Sequence, residues 1–292
     1  MKKSQFARIG IMGKPHQPQL KPTLEALVNI LKSFSTEIVL ENECQSLISE
    51  KFKQYAAIDL GKHIDLLIVI GGDGSLLNAA RAVVDHDTPV LGVNRGRLGF
   101  LTDISPQRIE EQLEPILQGQ YRKEERFLLQ SQILREGKVL GHHIALNDVV
   151  LYSGDIARMI EFEAYIDNTY VYKQRSDGLI TSTPTGSTAY ALSGGGPILH
   201  PGLDAIVLVP MHPHTLSSRP IVIHNESKIK LLITAENELE PRVSCDGQVH
   251  TTVKSNDEIQ IAKYAKPLHL IHPNDYDYFS VLRDKLGWAS EN

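Results

Sequence analysis

Short apolar runs alternate with helical periodicity in the first part of the chain. Runs of strand length lie at residues 6–12, 37–40, 65–70 and 89–93, and apolar spacing predicts helices at 23–34, 75–84 and 105–117. The run DLLIVI at 65–70 is almost wholly apolar, as in strands that a parallel sheet buries on both faces. Strands that alternate with helices predict an open α/β domain with a Rossmann-like parallel sheet.

The pattern changes near residue 122, where alternation of apolar and polar residues replaces the helical spacing. Strands with this period are predicted at 139–150, 161–167, 228–234 and 258–262. Turn signals separate them, which is typical of an antiparallel sandwich. One short helix is predicted at 187–192, and the tail at 274–288 is helical in composition.

These patterns divide the chain into three parts. We predict an α/β domain at 1–122, an all-β sandwich at 123–270, and a tail at 271–292 that packs back on the first domain. The length of 292 residues fits about two domains.

Composition narrows the class of protein. Thirty Lys and Arg against 35 Asp and Glu give a net charge of −5, which disfavours a nucleic-acid partner. Two cysteines, Cys44 and Cys245, exclude a disulfide scaffold and a four-cysteine zinc site. The opening residues resemble neither a signal peptide nor a membrane span. We therefore expect a cytoplasmic protein with no membrane partner.

A glycine turn joins the run at 65–70 to the next predicted helix. It consists of Gly71, Gly72, Asp73, Gly74 and Ser75. Glycines let the backbone approach a phosphate, and the dipole of the following helix favours its negative charge. Asp73 would repel phosphate, so it indicates a general base or a metal ligand; in a turn without function it would be a helix cap.

A second glycine cluster, GVNRGRLGF at 92–100, follows the next strand. Ligands of open α/β sheets bind beyond the carboxyl ends of the strands, so this loop is expected at the same edge as the glycine turn. There Arg95 or Arg97 would meet an anion; otherwise both are solvated loop residues.

Asn147 and Asp148 interrupt an apolar strand. A buried polar pair costs free energy unless it has partners. A carboxylate accepts from a ribose diol, and an amide both donates to and accepts from a purine edge. The alternative is a β-bulge or turn with internal hydrogen bonds.

The segment 175–197, RSDGLITSTPTGSTAYALSGGGP, is rich in hydroxyls and glycines. Its donors and close backbone approach suit a nucleotide, although a long surface loop has the same composition. By contrast, His212 and His214 lack metal-ligand spacing, and Asp246-Gly247 predicts a hairpin turn.

Together these segments resemble bacterial NAD kinases. The resemblance is carried by GGDG at 71–74, GVNRGRLGFLTD at 92–103, LND at 146–148, RSDGLITSTPTGSTAYALSGGGPIL at 175–199, LSSRP at 216–220 and IHPNDYDYF at 271–279. GGDG also occurs in diacylglycerol, sphingosine and phosphofructokinase relatives, whereas DGLITSTPTGSTAY is much more specific to NAD kinases.

The resemblance implies an enzyme that phosphorylates the 2′-hydroxyl of the adenosine ribose of NAD with ATP, giving NADP and ADP. NAD and ATP would be its small-molecule substrates. The implied cofactor is a divalent cation, Mg²⁺, bound mainly through the ATP phosphates, with no protein ligand assigned. Family members have the two domains described above and assemble as homodimers or homotetramers.

The resemblance also implies roles for individual residues. Asp73 matches the catalytic base, and Gly74 contacts the ligand beside it. The phosphate loop comprises Gly71, Gly72, Gly74 and Ser75. The adenosine-binding pair is Asn147 and Asp148. Further dinucleotide contacts are Arg158, Arg175, Asp177, Thr185, Thr188, Ala189, Tyr190, Ala191, Leu192, Ser193 and Gln248.

The chain departs from the family pattern at three positions. Ser75 stands where many relatives have Thr or Asn, Asp148 stands where many have Glu, and Gly247 makes the turn before Gln248 more flexible. None of these departures touches Asp73.

Two other functions remain open at this point. A lipid kinase of the same superfamily would need an apolar acceptor groove, and no basic amphipathic helix is evident. A dinucleotide sensor without activity would keep the pocket, but the intact Asp73 argues against it. The sequence does not distinguish ATP from other donors, or NAD from NADH.

Overall fold

The computed structural model describes residues 2–14, 20–96, 99–154, 158–235 and 240–288. The helices are α1 (Leu20–Lys32), α2 (Asn42–Gln45), α3 (Ala57–Leu60), α4 (Asp73–Val83), α5 (Ile109–Leu117), α6 (Tyr190–Ser193) and α7 (Tyr278–Leu286). The strands are β1 (Arg8–Gly13), β2 (Glu37–Glu41), β3 (Lys53–Tyr55), β4 (Leu66–Ile70), β5 (Val90–Val93), β6 (Arg122–Arg126), β7 (Leu129–Arg135), β8 (Lys138–Ala145), β9 (Asp148–Tyr152), β10 (Ile160–Ile166), β11 (Thr169–Ser176), β12 (Gly178–Ser182), β13 (Ala205–Met211), β14 (Ile221–His224), β15 (Ile229–Ile233), β16 (Arg242–Cys245), β17 (Val249–Thr252), β18 (Glu258–Lys263) and β19 (Leu268–His272).

The chain divides into two compact units. The first unit comprises Met1–Glu125 and Leu268–Asn292, and the second comprises Arg126–Pro267. The sequence patterns place the domain boundaries at 122 and 270. No helix among the described residues is both long and apolar enough to cross a membrane.

The first unit is built on an open sheet with the strand order β3-β2-β1-β4-β5-β19-β6. The registered pairs are parallel, from β3 to β19. Every residue of β4 is buried, as the apolar run predicts. The predicted α/β domain is therefore confirmed.

The strand order reverses direction beside β1. From β1 the chain proceeds outward to β2 and β3, and then returns to place β4 on the other side of β1. Such a reversal leaves a crevice at the carboxyl ends of the central strands, where open α/β sheets bind ligands.

The three helices predicted in the first unit all differ from their predicted bounds. Helix α1 spans Leu20–Lys32 rather than 23–34. Helix α4 begins at Asp73, two residues before the predicted start at 75. The predicted helix at 105–117 is a 3₁₀ turn at Pro106–Arg108 followed by α5. Such turns are common at helix N-termini.

The second unit consists of two six-stranded sheets with antiparallel registered pairs. One sheet has the order β11-β10-β15-β18-β7-β8, and the other has the order β14-β13-β12-β9-β16-β17. Side chains from both sheets, such as Phe162 and Leu179, share one buried apolar cluster. The sandwich prediction is therefore confirmed.

The prediction of a single strand at 139–150 is wrong. The strand is interrupted at Leu146 and Asn147, so that β8 ends before these residues and β9 begins after them. The amides of residues 146–148 donate to the carboxylate of Asp246. Because that carboxylate takes these donors, the strand is interrupted at this point.

The outer face of the second sheet is covered by the segment 185–199. The single helix predicted at 187–192 is instead a 3₁₀ turn at Thr185–Thr188 followed by α6. Ala191 and Leu199 of this segment pack on Val150, Ile180 and other residues of the sheet. The central strands β9, β12 and β13 are thus buried on both faces, and this packing holds the segment in place.

Candidate functional site

The glycine turn of the first unit lies at the carboxyl edge of the parallel sheet. Gly72 is the N-cap of α4, and Asp73 is the first helical residue. The reading of Asp73 as a helix cap is therefore wrong. A Cβ on Gly71 would lie 2.3 Å from Oγ of Ser75, so the turn closes this tightly only with glycine there.

The carboxylate of Asp73 is held by the loop that follows β5. Its Oδ2 accepts the amide of Phe100 and its Oδ1 accepts the amide of Leu101, both at 3.0 Å. A carboxylate has about four acceptor sites, so each oxygen keeps capacity for another donor. The loop fixes the carboxylate without using all of its lone pairs.

The second glycine cluster thus meets the first, as predicted. A Cβ on Gly99 would lie only 2.3 Å from Oδ1 of Asp73, so this loop can approach the carboxylate only with glycine there. Arg95 also lies at the turn, because its Nη2 is 3.9 Å from the position of a Cβ on Gly72. Its buried Nε has no hydrogen-bond partner in the part of the chain that the structure describes. Arg97 falls outside the described residues.

In the second unit, Asn147 and Asp148 stand at the break between β8 and β9. The main chain of Asn147 is fully engaged, because its amide donates to Asp246 at 2.8 Å and its carbonyl accepts from Thr183 at 2.9 Å. Its side-chain Oδ1 is buried and has no hydrogen-bond partner among the described residues. The turn with internal hydrogen bonds is therefore present, but these bonds do not engage the side-chain oxygen.

Asp148 is a buried carboxyl group, 4% exposed. Burial, and next the charge of Asp246, raises its pKa from 3.8 to about 7. Loss of hydration disfavours the ionised form, so hydroxyl donors from a ligand would stabilise it. This is the environment expected of a carboxylate that receives a ribose diol.

A cavity of about 320 Å³ opens on the outer face of the second sheet. Strand periodicity puts Asp148, Val150 and Tyr152 on its floor, because side chains two residues apart point to the same face. The lining residues are Asn147, Asp148, Val150, Tyr152, Ala189, Tyr190, Ser244, Asp246, Gly247 and His250. Volumes of this order are usual for small-molecule sites.

Several lining residues were missed by the sequence analysis. Tyr152 and His250 are hydrogen-bonded at 3.2 Å, and Oγ of Ser244 is buried with no hydrogen-bond partner within the described ranges. The alternation in β9 was the available signal for Tyr152. Asp246 was assigned only to a hairpin turn, which it does form between β16 and β17.

The hydroxyls and glycines of the segment 175–197 make contacts within the protein. Oγ1 of Thr183 donates to the carbonyl of Leu146 at 2.6 Å, and Oγ of Ser187 accepts the amide of Leu199 at 2.9 Å. A Cβ on Gly186 would lie 2.2 Å from the carbonyl oxygen of Asn147. These contacts fasten the segment to the strand break that carries the polar pair.

The other predicted dinucleotide contacts are spread more widely. Ala189 and Tyr190 line the cavity, whereas Ala191 is in the core. Arg158 and Arg175 are exposed, and Oδ2 of Asp177 pairs with Nδ1 of His212 at 2.9 Å. The remaining candidates do not line this cavity: Thr185, Thr188, Leu192, Ser193 and Gln248.

A glycine turn at a helix N-terminus in the first unit, and a buried polar pair beside a cavity in the second, are features of nucleotide-binding enzymes. Two family models specify which kind, since the ATP-NAD kinase N-terminal domain matches residues 9–121 and the ATP-NAD kinase C-terminal domain matches residues 146–273. The chain therefore belongs to the ATP-NAD kinase family, as its motifs predict.

Similar proteins span almost the whole chain. The NAD kinase of Marinomonas sp. is 50% identical over 288 residues, covering 98% of each chain. The NAD kinase of Hahella chejuensis is 52% identical over 287 residues, covering 98% of this chain and 97% of its own.

Two solved structures share the fold. A yeast NADH kinase complexed with NADH has a TM-score of 0.89 at 21% identity and covers 100% of this chain and 95% of its own. An NAD kinase from Archaeoglobus fulgidus in complex with ATP has a TM-score of 0.71 at 25% identity, and the match covers 96% of this chain and 97% of that chain.

Proposed function

We infer that this enzyme transfers the γ-phosphoryl group of ATP to the 2′-hydroxyl of the adenosine ribose of NAD, giving NADP and ADP. Full-length relatives named NAD kinase support the reaction, and a structural neighbour in complex with ATP supports the donor. The observation that carries the proposal is the carboxylate of Asp73, which stands at the N-terminus of α4 and accepts the amides of Phe100 and Leu101 from the loop after β5.

Asp73 is the general base of the proposed reaction. A ribose hydroxyl is a weak nucleophile, and its proton must leave as its oxygen attacks phosphorus. A carboxylate oxygen of Asp73 takes this proton, the bond from the γ-phosphorus to the bridging oxygen breaks, and ADP departs. Phosphoryl transfer otherwise requires positioning and charge neutralisation. The turn 71–75 and the dipole of α4 favour the phosphate charge.

The dinucleotide is recognised by the second unit. Asp148 accepts the ribose hydroxyls, and the side chain of Asn147 bonds the adenine edge, with its Oδ1 accepting and its NH₂ group donating. Tyr190, half exposed beside the cavity, stacks on the base. The remaining proposed contacts in this unit are Arg158, Arg175, Asp177, Thr185, Thr188, Ala189, Ala191, Leu192, Ser193 and Gln248. Gly74 is a proposed contact from the first unit.

A divalent cation fits this site without a protein cage. Among the described residues there is no group of three His, Cys, Asp or Glu side chains placed to hold a metal. Mg²⁺ commonly takes most of its ligands from phosphates and water, so we assign it no protein ligand and leave the carboxylate of Asp73 to act as the base. When bound, the cation neutralises charge on the phosphates.

Two further properties belong to the proposal. The family resemblance supports a homodimer or homotetramer and a cytoplasmic location. Light scattering on the purified protein distinguishes these assemblies from a monomer.

Asp73→Asn tests the reaction and the base together. The purified protein is incubated with NAD, ATP and Mg²⁺, and NADP is detected with an NADP-specific dehydrogenase. We expect the variant to lose about 100-fold or more in turnover, because the general base is gone. Its affinity for NAD, measured by calorimetry, should stay within about threefold, since the amide keeps the shape of the carboxylate.

Near-normal turnover in Asp73→Asn would remove this residue from the role of base. If the wild type forms no NADP from ATP, polyphosphate and NADH are tested in the same assay. NAD binding without turnover under any of these conditions would identify the protein as a dinucleotide sensor instead.

A further inference from the structure

A second cavity, of about 390 Å³, lies within the first unit. One wall is α4, whose residues Ser75, Asn78 and Ala82 line it. At about 100° per residue these three share one face of the helix, and Asp73 lies on the opposite face. The cavity is therefore separate from the carboxylate but adjoins the same glycine turn through Ser75.

The position of this cavity is the crevice at which the strand order reverses. Gly13 and Lys14 at the end of β1, and Glu41 at the end of β2, contribute to its lining. Open α/β sheets bind nucleotides beyond the carboxyl ends of their strands at such a reversal. None of the residues assigned to the dinucleotide lines this cavity.

Glu41 is a buried carboxyl group in the lining of this cavity. It is the last residue of β2 and is only 7% exposed. It accepts the amide of Glu43 at 3.0 Å, and burial raises its pKa. A buried carboxylate is stabilised by additional donors, and a ribose diol offers two. In doubly wound folds an acidic residue with this role follows the second strand.

The rest of the lining suits a nucleoside with phosphates attached. Ala57, Ala82 and Ile58 form an apolar wall. Arg81 and Lys14 supply positive charge on the same cavity, and Glu43 joins Glu41 as a second acidic residue of its lining. An apolar wall with a few placed polar groups is typical of ligand sites.

We propose that this cavity binds the nucleoside of the phosphoryl donor, with Glu41 accepting its ribose hydroxyls and the triphosphate passing Ser75 toward the glycine turn. The proposal rests on the proposed function, for which it supplies a donor site. The acceptor dinucleotide uses other residues, so the two substrates respond to different substitutions.

Ala57→Trp fills this cavity, and Ala56→Trp is its matched control. Ala57 is the first residue of α3 and lines the cavity, whereas the neighbouring N-cap Ala56 is exposed and does not. We expect Ala57→Trp to raise the KM for ATP about tenfold or more, with the KM for NAD within about twofold. Ala56→Trp should change neither constant. An unchanged KM for ATP in Ala57→Trp would overturn the proposal.

Glu41→Gln tests the ribose contact. Wild-type enzyme should use ATP with a kcat/KM about tenfold or more above that for 2′,3′-dideoxy-ATP, because the buried carboxylate loses its donors with the analogue. In Glu41→Gln this preference should shrink to about threefold or less. An undiminished preference in the variant would assign the ribose to another residue and contradict the role of Glu41.

Photolabelling with 8-azido-ATP separates this proposal from the proposed reaction, because it needs no turnover. We expect the label, located by mass spectrometry, in a peptide containing Ala57 and Ile58, with excess ATP abolishing it and excess NAD leaving it. Labelling confined to residues 126–267 would overturn the donor site even if NADP is formed. Labelling at α3 in a protein that forms no NADP would keep the site and refute the reaction.

Discussion

Asp148 and Asp246 place two carboxylates beside one cavity, and their environments give them different roles. Asp246 accepts the amides of residues 146, 147 and 148 and so shapes the strand break. Asp148 is buried beside it, with a pKa of about 7. The first carboxylate is structural, whereas the second is held where a ligand would donate to it.

This environment predicts a pH-dependent cost to stability. Because the folded pKa of Asp148 is raised, the native protein retains a proton that the unfolded chain releases between about pH 4 and about pH 7. Stability contributed by this group therefore falls as pH rises through that window, by at most about 1.4 kcal/mol per pH unit. Asp148→Asn removes this titration. In urea unfolding, the unfolding free energy of the variant should therefore rise relative to that of the wild type as pH rises.

The same substitution should weaken NAD binding. Calorimetry near pH 8 is expected to give about tenfold lower affinity for Asp148→Asn, since an ionised acceptor makes the stronger hydrogen bonds. Wild-type and variant stability curves that run parallel from about pH 5 to about pH 8 would contradict the raised pKa.

At the residue scale the sequence identified groups with unusual chemistry in their local setting. Asp73 stood out because a carboxylate in a glycine turn opposes phosphate, and Asn147 with Asp148 stood out within an apolar strand. Asp246 did not, because Asp-Gly is an ordinary hairpin signal and its bonds reach residues about a hundred positions away. Long-range partners of this kind have no local signature.

Helix α4 and the loop after β5 fit together only because Gly99 has no side chain. A Cβ there would lie 2.3 Å from Oδ1 of Asp73 and 2.4 Å from Oγ1 of Thr102. Gly99→Ala should therefore displace the carboxylate, and a displacement of about 1 Å can cost up to about 100-fold in rate. We expect kcat to fall about tenfold or more with the KM for NAD little changed.

Steady-state kinetics with a circular-dichroism check of folding would measure this effect. Gly202→Ala is a suitable control, since its added Cβ meets only the ring of His200, at 3.3 Å. A kcat within about twofold of wild type would show that the loop does not position Asp73.

A comparable fit joins the hydroxyl-rich segment to the strand break. In Gly186→Ala the new Cβ would lie 2.2 Å from the main-chain oxygen of Asn147. Backbone atoms yield little, so we expect a loss of about 1–3 kcal/mol in unfolding free energy together with weaker NAD binding. Urea titration of Gly186→Ala and of the control Gly202→Ala would measure this loss of unfolding free energy. Equal unfolding free energies for the two variants would show that the close contact of Gly186 with Asn147 does not require glycine.

At the element scale, hydrophobic periodicity predicted the type and order of the helices and strands better than it predicted the residues at which they begin and end. The buried strand β4 and the alternating strand β10 were located within one residue of each end. The strand predicted at 139–150 failed because its break depends on Asp246, and the helix predicted at 187–192 failed because tertiary packing on the sheet decides its turns.

The last part of the chain completes the first sheet. Strand β19 lies between β5 and β6, it pairs in parallel with β5, and Ile271 joins the buried cluster of the first unit. A chain that ends at Pro267 should therefore lose the fold of the first unit and the helical signal of α1 and α4, while the second unit keeps its two sheets.

Far-ultraviolet circular dichroism and limited proteolysis would test this truncation. The expected result is a protease-resistant fragment that begins near residue 126. Full retention of helical signal would show that the sheet is stable without its late strand. The sequence predicted that the tail packs on the first domain, but not that it supplies an internal strand, because pairing register across the chain leaves no periodic trace.

The place of β19 also bears on how the protein is made. A ribosome releases the N-terminal strands first, yet the sheet that they form stays without an internal member until the final segment emerges. Meanwhile β5 presents an open, apolar edge, which is a template for unwanted pairing. The second unit is complete before that segment is synthesised, so we expect the second unit of a nascent chain to fold first and the first unit, which contains the N-terminal strands, to fold last.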